Sequence, residues 1–186
     1  MTIATTKTML VAEQARDVRT YLMEACLETF VALGFPAVPA PVEEAAAATH
    51  DVAGFIGLSG GVRGSLMISS ATELFRGSYP STIGGAPEPP DLLDWAGEMA
   101  NQLLGRVKRR FCERGADFQI STPTAVRGRF LVGRSPAREG VCDLAFVVGG
   151  NVVAVSFEVC PDPSGKVFAD AAQPIGCAPE GEMVLF

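Results

Sequence analysis

The sequence predicts a layered α+β fold, with two long helices packed on a largely antiparallel β-sheet, and three observations carry that expectation. Apolar residues recur at three- and four-residue steps over 11–33 and again over 90–114, which is the signature of two amphipathic helices. Two β-prone stretches, 52–68 and 141–159, fold back on glycine-rich turns and read as antiparallel hairpins. The chain of 186 residues, 48% hydrophobic and 19% charged, fits one domain over 1–186 with a continuous core.

In chain order, the first helix runs from about Val11 to Leu33, carrying Val18, Tyr21, Leu22, Ala25, Leu27, Phe30 and Val31 on its apolar side, and Gly34 and Pro36 stop it. The Pro/Ala/Glu stretch 36–51 reads as a surface connector. Val52–Leu58 and Ser65–Ile68 form the first hairpin around Ser59–Gly64. A short helix follows at Ala71–Phe75, and the Gly/Pro-dense stretch 78–90 is a loop. It divides the chain into two halves that each begin with a helix and continue with strands, a hint of internal duplication. The second helix begins near Pro90–Asp91 and runs to Cys112 or Arg114, with Gly115 as its stop. Phe118–Val126 is a strand. Val141–Val148 and Val152–Val159 form the second hairpin around Gly149–Asn151, with Val153, Val155, Phe157 and Val159 on a packed face and Ala154, Ser156 and Glu158 on a polar one. The tail from Pro161 to Phe186 is mainly irregular, with a final strand possible at Met183–Phe186.

Charge excludes several functions. A net charge of −6 and a pI near 4.8 do not suit a surface that tracks nucleic acid or anionic lipid, which needs clustered Lys and Arg. The compact basic cluster, Arg106, Lys108, Arg109 and Arg110, reads as the cationic last turns of a helix opposing its dipole. The N-terminal stretch lacks a signal peptide's apolar core and no run approaches the ~18 apolar residues of a membrane helix, so a cytoplasmic location is expected. Five cysteines with no CxxC spacing suggest neither a zinc knuckle nor a disulfide frame, and free, mostly buried thiols are expected. The lone His50 excludes His-rich metal sites, so no metal of its own is expected.

On a helical wheel, Ala96, Met99, Ala100, Leu103, Leu104 and Val107 gather on one side of the second helix. Asp94, Glu98, Asn101, Gly105 and Lys108 form a narrow stripe opposite them. Glu98 and Asn101, three residues apart, are surface neighbours able to reach one site on a docked partner. Gly105, one turn on, costs a helix interior roughly 1 kcal/mol relative to alanine, so a functional or packing reason is expected for it. Trp95 lies off the stripe and reads as half-buried packing. Glu-x2-Asn alone is uninformative on a surface helix. Adding Asp94 before it and Pro123 after it lowers the chance expectation to roughly 0.003 per chain by residue frequencies.

The pattern Asp94-x3-Glu98-x2-Asn101 followed by Pro123 resembles the signature of the CheC/CheX/FliY chemotaxis phosphatase family. Gly97–Gly105 is similar to that family's helix core, Phe118–Thr124 to its following strand and Ile56–Gly64 to its first hairpin, and the resemblance runs in order over 11–160. In the first helix Glu24 is followed three positions later by Leu27 and Glu28 by Val31, so a single motif is present and the chain is most similar to CheX, the one-site form, which is typically a homodimer. The resemblance implies a CheX-like fold with internal pseudo-duplication and an enzyme that hydrolyses the aspartyl phosphate of a CheY-like response regulator. Asn101 then orients the attacking water and Glu98 pairs with the regulator's lysine, while the regulator supplies the Mg2+. Asp94 is left with three possible roles, capping, orienting or touching the regulator, and Pro123 shapes the strand beneath the helix. Arg106 and Lys108 serve docking or simply a solvated face. A competing expectation is a non-catalytic module of the same fold that binds a regulator or a signalling or flagellar partner. A third, a purely structural dimer, requires the motif to be accidental.

Overall fold

The computed structural model describes residues 3–80, 86–116, 118–129, 131 and 140–160, with residues 3–13 described in backbone only. In order the elements are α1 (Ile3–Ala32), β1 (Ala37–Ala40), α2 (Val42–Ala47), β2 (Val52–Gly60), β3 (Arg63–Ser70), α3 (Thr72–Gly77), α4 (Pro89–Glu113), β4 (Phe118–Ile120), β5 (Thr124–Arg127), β6 (Val141–Val148) and β7 (Asn151–Cys160). The strands form one seven-stranded sheet in the order β1-β6-β7-β3-β2-β4, with β5 also on β2, and every pairing is antiparallel. The expected layered α+β architecture is present.

The strand order reads as two interlocked halves. β3 and β7 meet at the centre, while β1 of the first half pairs with β6 of the second, and β4 and β5 of the second pair with β2 of the first. α1 and α4 pack on one another and on the same face of the sheet, α1 over β6 and β1, α4 over β2, β5 and β3. Both helices end on a left-handed glycine, Gly34 (φ 81°) and Gly115 (φ 76°), and on the same closing bonds: Phe35 N–H to Phe30 C=O at 2.9 Å and Ala116 N–H to Phe111 C=O at 3.0 Å.

Phe111 ties the layers together. Its ring meets Tyr21 of α1, Phe118 of β4 and Phe157 of β7 at centroid distances of 6.2, 5.8 and 6.0 Å, all edge-on. Alternation on β7 is as expected, with Val153, Val155, Phe157 and Val159 buried. The opposite face carries α2, packed on β6 and β7.

Three expectations are corrected. The first helix begins at Ile3, well before Val11. The 36–51 stretch is no simple connector: it contains β1 and α2, and Pro39 is tolerated because β1 is, among the described residues, an edge strand paired with β6 alone. The single strand expected over 118–126 is two. The register on β2 slips by one between Leu58↔Ile120 and Phe55↔Thr124, so Ile56 and Gly57 face Ser121, Thr122 and Pro123 in a bulge. The Ser121 hydroxyl accepts the Gly57 N–H at 2.9 Å, and the Ser121 N–H donates to the Gly57 carbonyl at 2.9 Å, closing the bulge. The expectations for 81–85 and 161–186 lie outside the described residues.

Candidate functional site

The helix carrying the motif is α4, and local chemistry sets its start. Pro89 and Pro90 occupy the first turn, where missing N–H groups cost nothing, and the Asp91 carboxylate accepts the N–H of the N-cap residue Glu88 at 2.8 Å. Ala96, Met99, Ala100, Leu103, Leu104 and Val107 are fully buried, as the wheel expects.

Two glycines and a proline fix the height of the motif-bearing turn. A Cβ on Gly54 of β2 would stand 2.2 Å from the Ala96 carbonyl oxygen, so helix and strand touch backbone to backbone. On the neighbouring residue, a Cβ at Gly97 would lie 3.4 Å from the Pro123 ring, which the bulge presents to α4. Pro123 thus sits directly beneath the turn that carries Glu98.

On the outward side, Asp94 and Glu98 are exposed and Asn101, Gly105 and Lys108 are half-buried. The Gln102 amide donates to Glu98 Oε1 at 3.0 Å, a contact that the sequence reading missed although the four-residue spacing could have shown it. The side chains of Asn101 and Asp94 make no hydrogen bond with another described residue. Apart from its chain neighbours and the backbone of its own helix, nothing within the described chain comes within 4 Å of a Cβ built on Gly105. Lys108 does not join the outward stripe as a free cation: its Nζ lies 5.8 Å from the centre of the Phe118 ring. Trp95 is more buried than expected, at 8% exposure, and its Nε1–H donates to Ser78 Oγ at 3.0 Å.

The basic cluster does more than oppose the helix dipole. Arg110 bonds Glu28 at 2.5 Å and Glu24 at 3.2 Å, Arg109 lies 3.6 Å from Glu28, and Arg114 bonds Asp17 at 3.0 Å, so these cations join α4 to α1. Burial pulls the Arg110 guanidinium down, and the two glutamates more than offset it, leaving it above its ordinary value. Arg106 turns back onto the Gln102 carbonyl at 3.3 Å.

The paired halves show where a second site would fall. Glu98 stands 17 residues before Gly115, and Asp17 stands 17 residues before Gly34, so Asp17 and Thr20 match Glu98 and Asn101. Asp17 is held by Arg114, and Thr20 Oγ1 bonds the Arg16 carbonyl of its own helix at 3.0 Å. The α1 position therefore has neither a carboxamide nor an unpaired carboxylate.

The Glu98/Asn101 face lines neither of two cavities formed by the described residues. Cavities of about 440 Å³, beneath α2, and about 400 Å³, among Asp51, Thr72 and Arg127–Arg129, lie elsewhere. Among the described residues no three His, Cys, Asp or Glu side chains gather as a metal site, and no helix is long and apolar enough to cross a membrane. Of the described cysteines, Cys26, Cys112 and Cys142 are buried and Cys160 is exposed. An exposed carboxylate beside a carboxamide without a hydrogen-bond partner can act by entering a partner's site.

Known proteins share this architecture. The family described as chemotaxis phosphatase CheX matches residues 52–143. The solved structure of chemotaxis protein CheX from Vibrio vulnificus is similar at 23% identity and a TM-score of 0.65, over 75% of this chain and 94% of that one. A CheC-like superfamily protein from Shewanella sp. PV-4 is similar at 20% identity and 0.67, over 77% and 97%. CheX from Desulfovibrio desulfuricans gives 17% and 0.64, over 77% and 99%. No curated protein matches the chain in sequence. The structural likenesses define the class, a protein with the fold of CheX and CheC. With the match over 52–143, the resemblance read from the sequence holds: the chain belongs to the CheC/CheX/FliY chemotaxis phosphatase family.

Proposed function

We propose that the chain dephosphorylates a CheY-like response regulator, inserting the Glu98/Asn101 face of α4 into the regulator's active site. The observation that carries this reading is the unpartnered Asn101 carboxamide beside Glu98 on a turn seated backbone to backbone on the sheet. Aspartyl-phosphate hydrolysis needs an in-line water and neutralisation of the phosphoryl oxygens. The regulator supplies its own Mg2+ and lysine, so the phosphatase needs no cofactor of its own.

An amide offers a donor and an acceptor at once, so Asn101 can hold the water and face a phosphoryl oxygen without changing protonation state. A carboxylate there would repel the phosphate. Glu98 anchors the insertion on the regulator's lysine. Asp94, one turn before Glu98, extends the acidic edge, Gly105 admits the regulator's backbone, and Pro123 supports the turn from below. The protein works as a homodimer in the cytoplasm, and sedimentation of the purified chain checks the dimer.

The test adds purified protein to Mg2+-bound, phosphorylated receiver domains of the same genome and follows loss of phosphate. The expected result is acceleration for at least one receiver, a loss of about 100-fold on Asn101→Ala, in line with removal of a single transition-state hydrogen-bonding group, and weaker binding on Glu98→Ala. No acceleration with any receiver defeats the reading. Unchanged rates in both variants do the same, and regulator binding without turnover supports the non-catalytic module instead.

A further inference from the structure

We propose that Gln102 is a positioning residue for Glu98, holding its carboxylate ready for a partner's cation without neutralising it; this rests on the reading of the α4 face given above. Glu98 is exposed, and an exposed glutamate samples many rotamers that docking must freeze. Gln102 stands one turn on and donates its Nε2–H to Glu98 Oε1 at 3.0 Å. That bond engages one oxygen and leaves Oε2 open.

The residue type at 102 matters because the chain places cations close by. Arg or Lys at this spacing would form an ion pair with Glu98 and compete with any incoming ammonium. Gln102 directs the carboxylate as a neutral donor. The basic residues of α4 are engaged elsewhere: Arg106 on the Gln102 carbonyl, Lys108 over Phe118, and Arg109 and Arg110 on α1 carboxylates. With Asp94 exposed one turn before it, Glu98 keeps an undiminished negative field facing outward.

The test uses the full chain and the receiver that the wild type serves. Gln102→Met keeps length and helix propensity and loses the donor; it raises KM about fivefold, the worth of one hydrogen bond, and leaves kcat within about twofold. Gln102→Lys restores a donor but raises KM further at low salt, because it neutralises Glu98. In a Glu98→Ala background, Gln102→Met changes nothing more. Equal KM effects in both backgrounds, or a wild-type KM in Gln102→Met, overturn the positioning role while leaving the phosphatase reading intact. A wild type inactive on every receiver overturns both.

Discussion

Gly54 of β2 lies in backbone contact with Ala96 of α4, so close that a Cβ at residue 54 would stand 2.2 Å from the Ala96 carbonyl oxygen. No rotamer can relieve that clash, because both partners are main chain. Gly54→Ala must lift α4 from the sheet and is expected to cost about 2 kcal/mol or more, measured as a lower urea midpoint. Phosphatase activity should fall with it, since the lifted turn is the one bearing Glu98 and Asn101.

Gly105 gives the opposite pairing of outcomes. The position is helical and the space around its missing Cβ is open. Gly105→Ala should therefore stabilise the protein by about 0.5–1 kcal/mol. On the proposed docking reading the same methyl stands in the regulator's path, so activity at low regulator concentration should drop. A variant both more stable and fully active would remove Gly105 from the docking surface.

Cys26 sets an alkaline limit. Burial pushes its thiol well above the ordinary 9.0, and Cys142 pushes the same way. The unfolded chain ionises near pH 9 while the native thiol stays neutral, so the stabilisation present below that pH is lost as pH rises towards the folded value. Urea midpoints should decline from about pH 9 upward, and more gently in Cys26→Ala. Parallel declines in the two proteins would remove Cys26 as the cause.

Arg110 joins the helices by two ion pairs whose carboxylates are half-exposed, at 52% and 46%, while its own side chain is 11% exposed. Solvent screening keeps the gain modest. Arg110→Met should cost about 1 kcal/mol, and raising salt should narrow the gap between variant and wild type in thermal melts.

How much of this was legible beforehand differs by element. The apolar face of α4 was readable to the residue, because a 3.6-residue period on a long helix leaves one solution, and the burial of Ala96 through Val107 agrees. The hairpins followed from alternation and glycine turns. β1 was hidden because Pro39 and Pro41 argue against a strand, and only its place at the sheet edge, a tertiary fact, admits them. The split of β4 from β5 was hidden as well, since the bulge depends on Ser121 bonding to Gly57 across the sheet. At the candidate site, the outward placement of Asp94, Glu98 and Asn101 was visible in the spacing. What lay beneath, Gly54 and Pro123 setting the helix height, was not, because it joins residues far apart in sequence.

The exchange of edge strands between the halves makes each half incomplete alone. Cut between α3 and α4, the first fragment would keep β1 without β6, its only neighbour among the described residues, and the second would keep β4 and β5 without β2, theirs. Neither piece should fold separately, yet the two expressed together should reassemble, because every broken strand finds its mate in the other. Reconstituted phosphatase activity from two inactive fragments would then report assembly of the sheet, turning this fold into a split reporter.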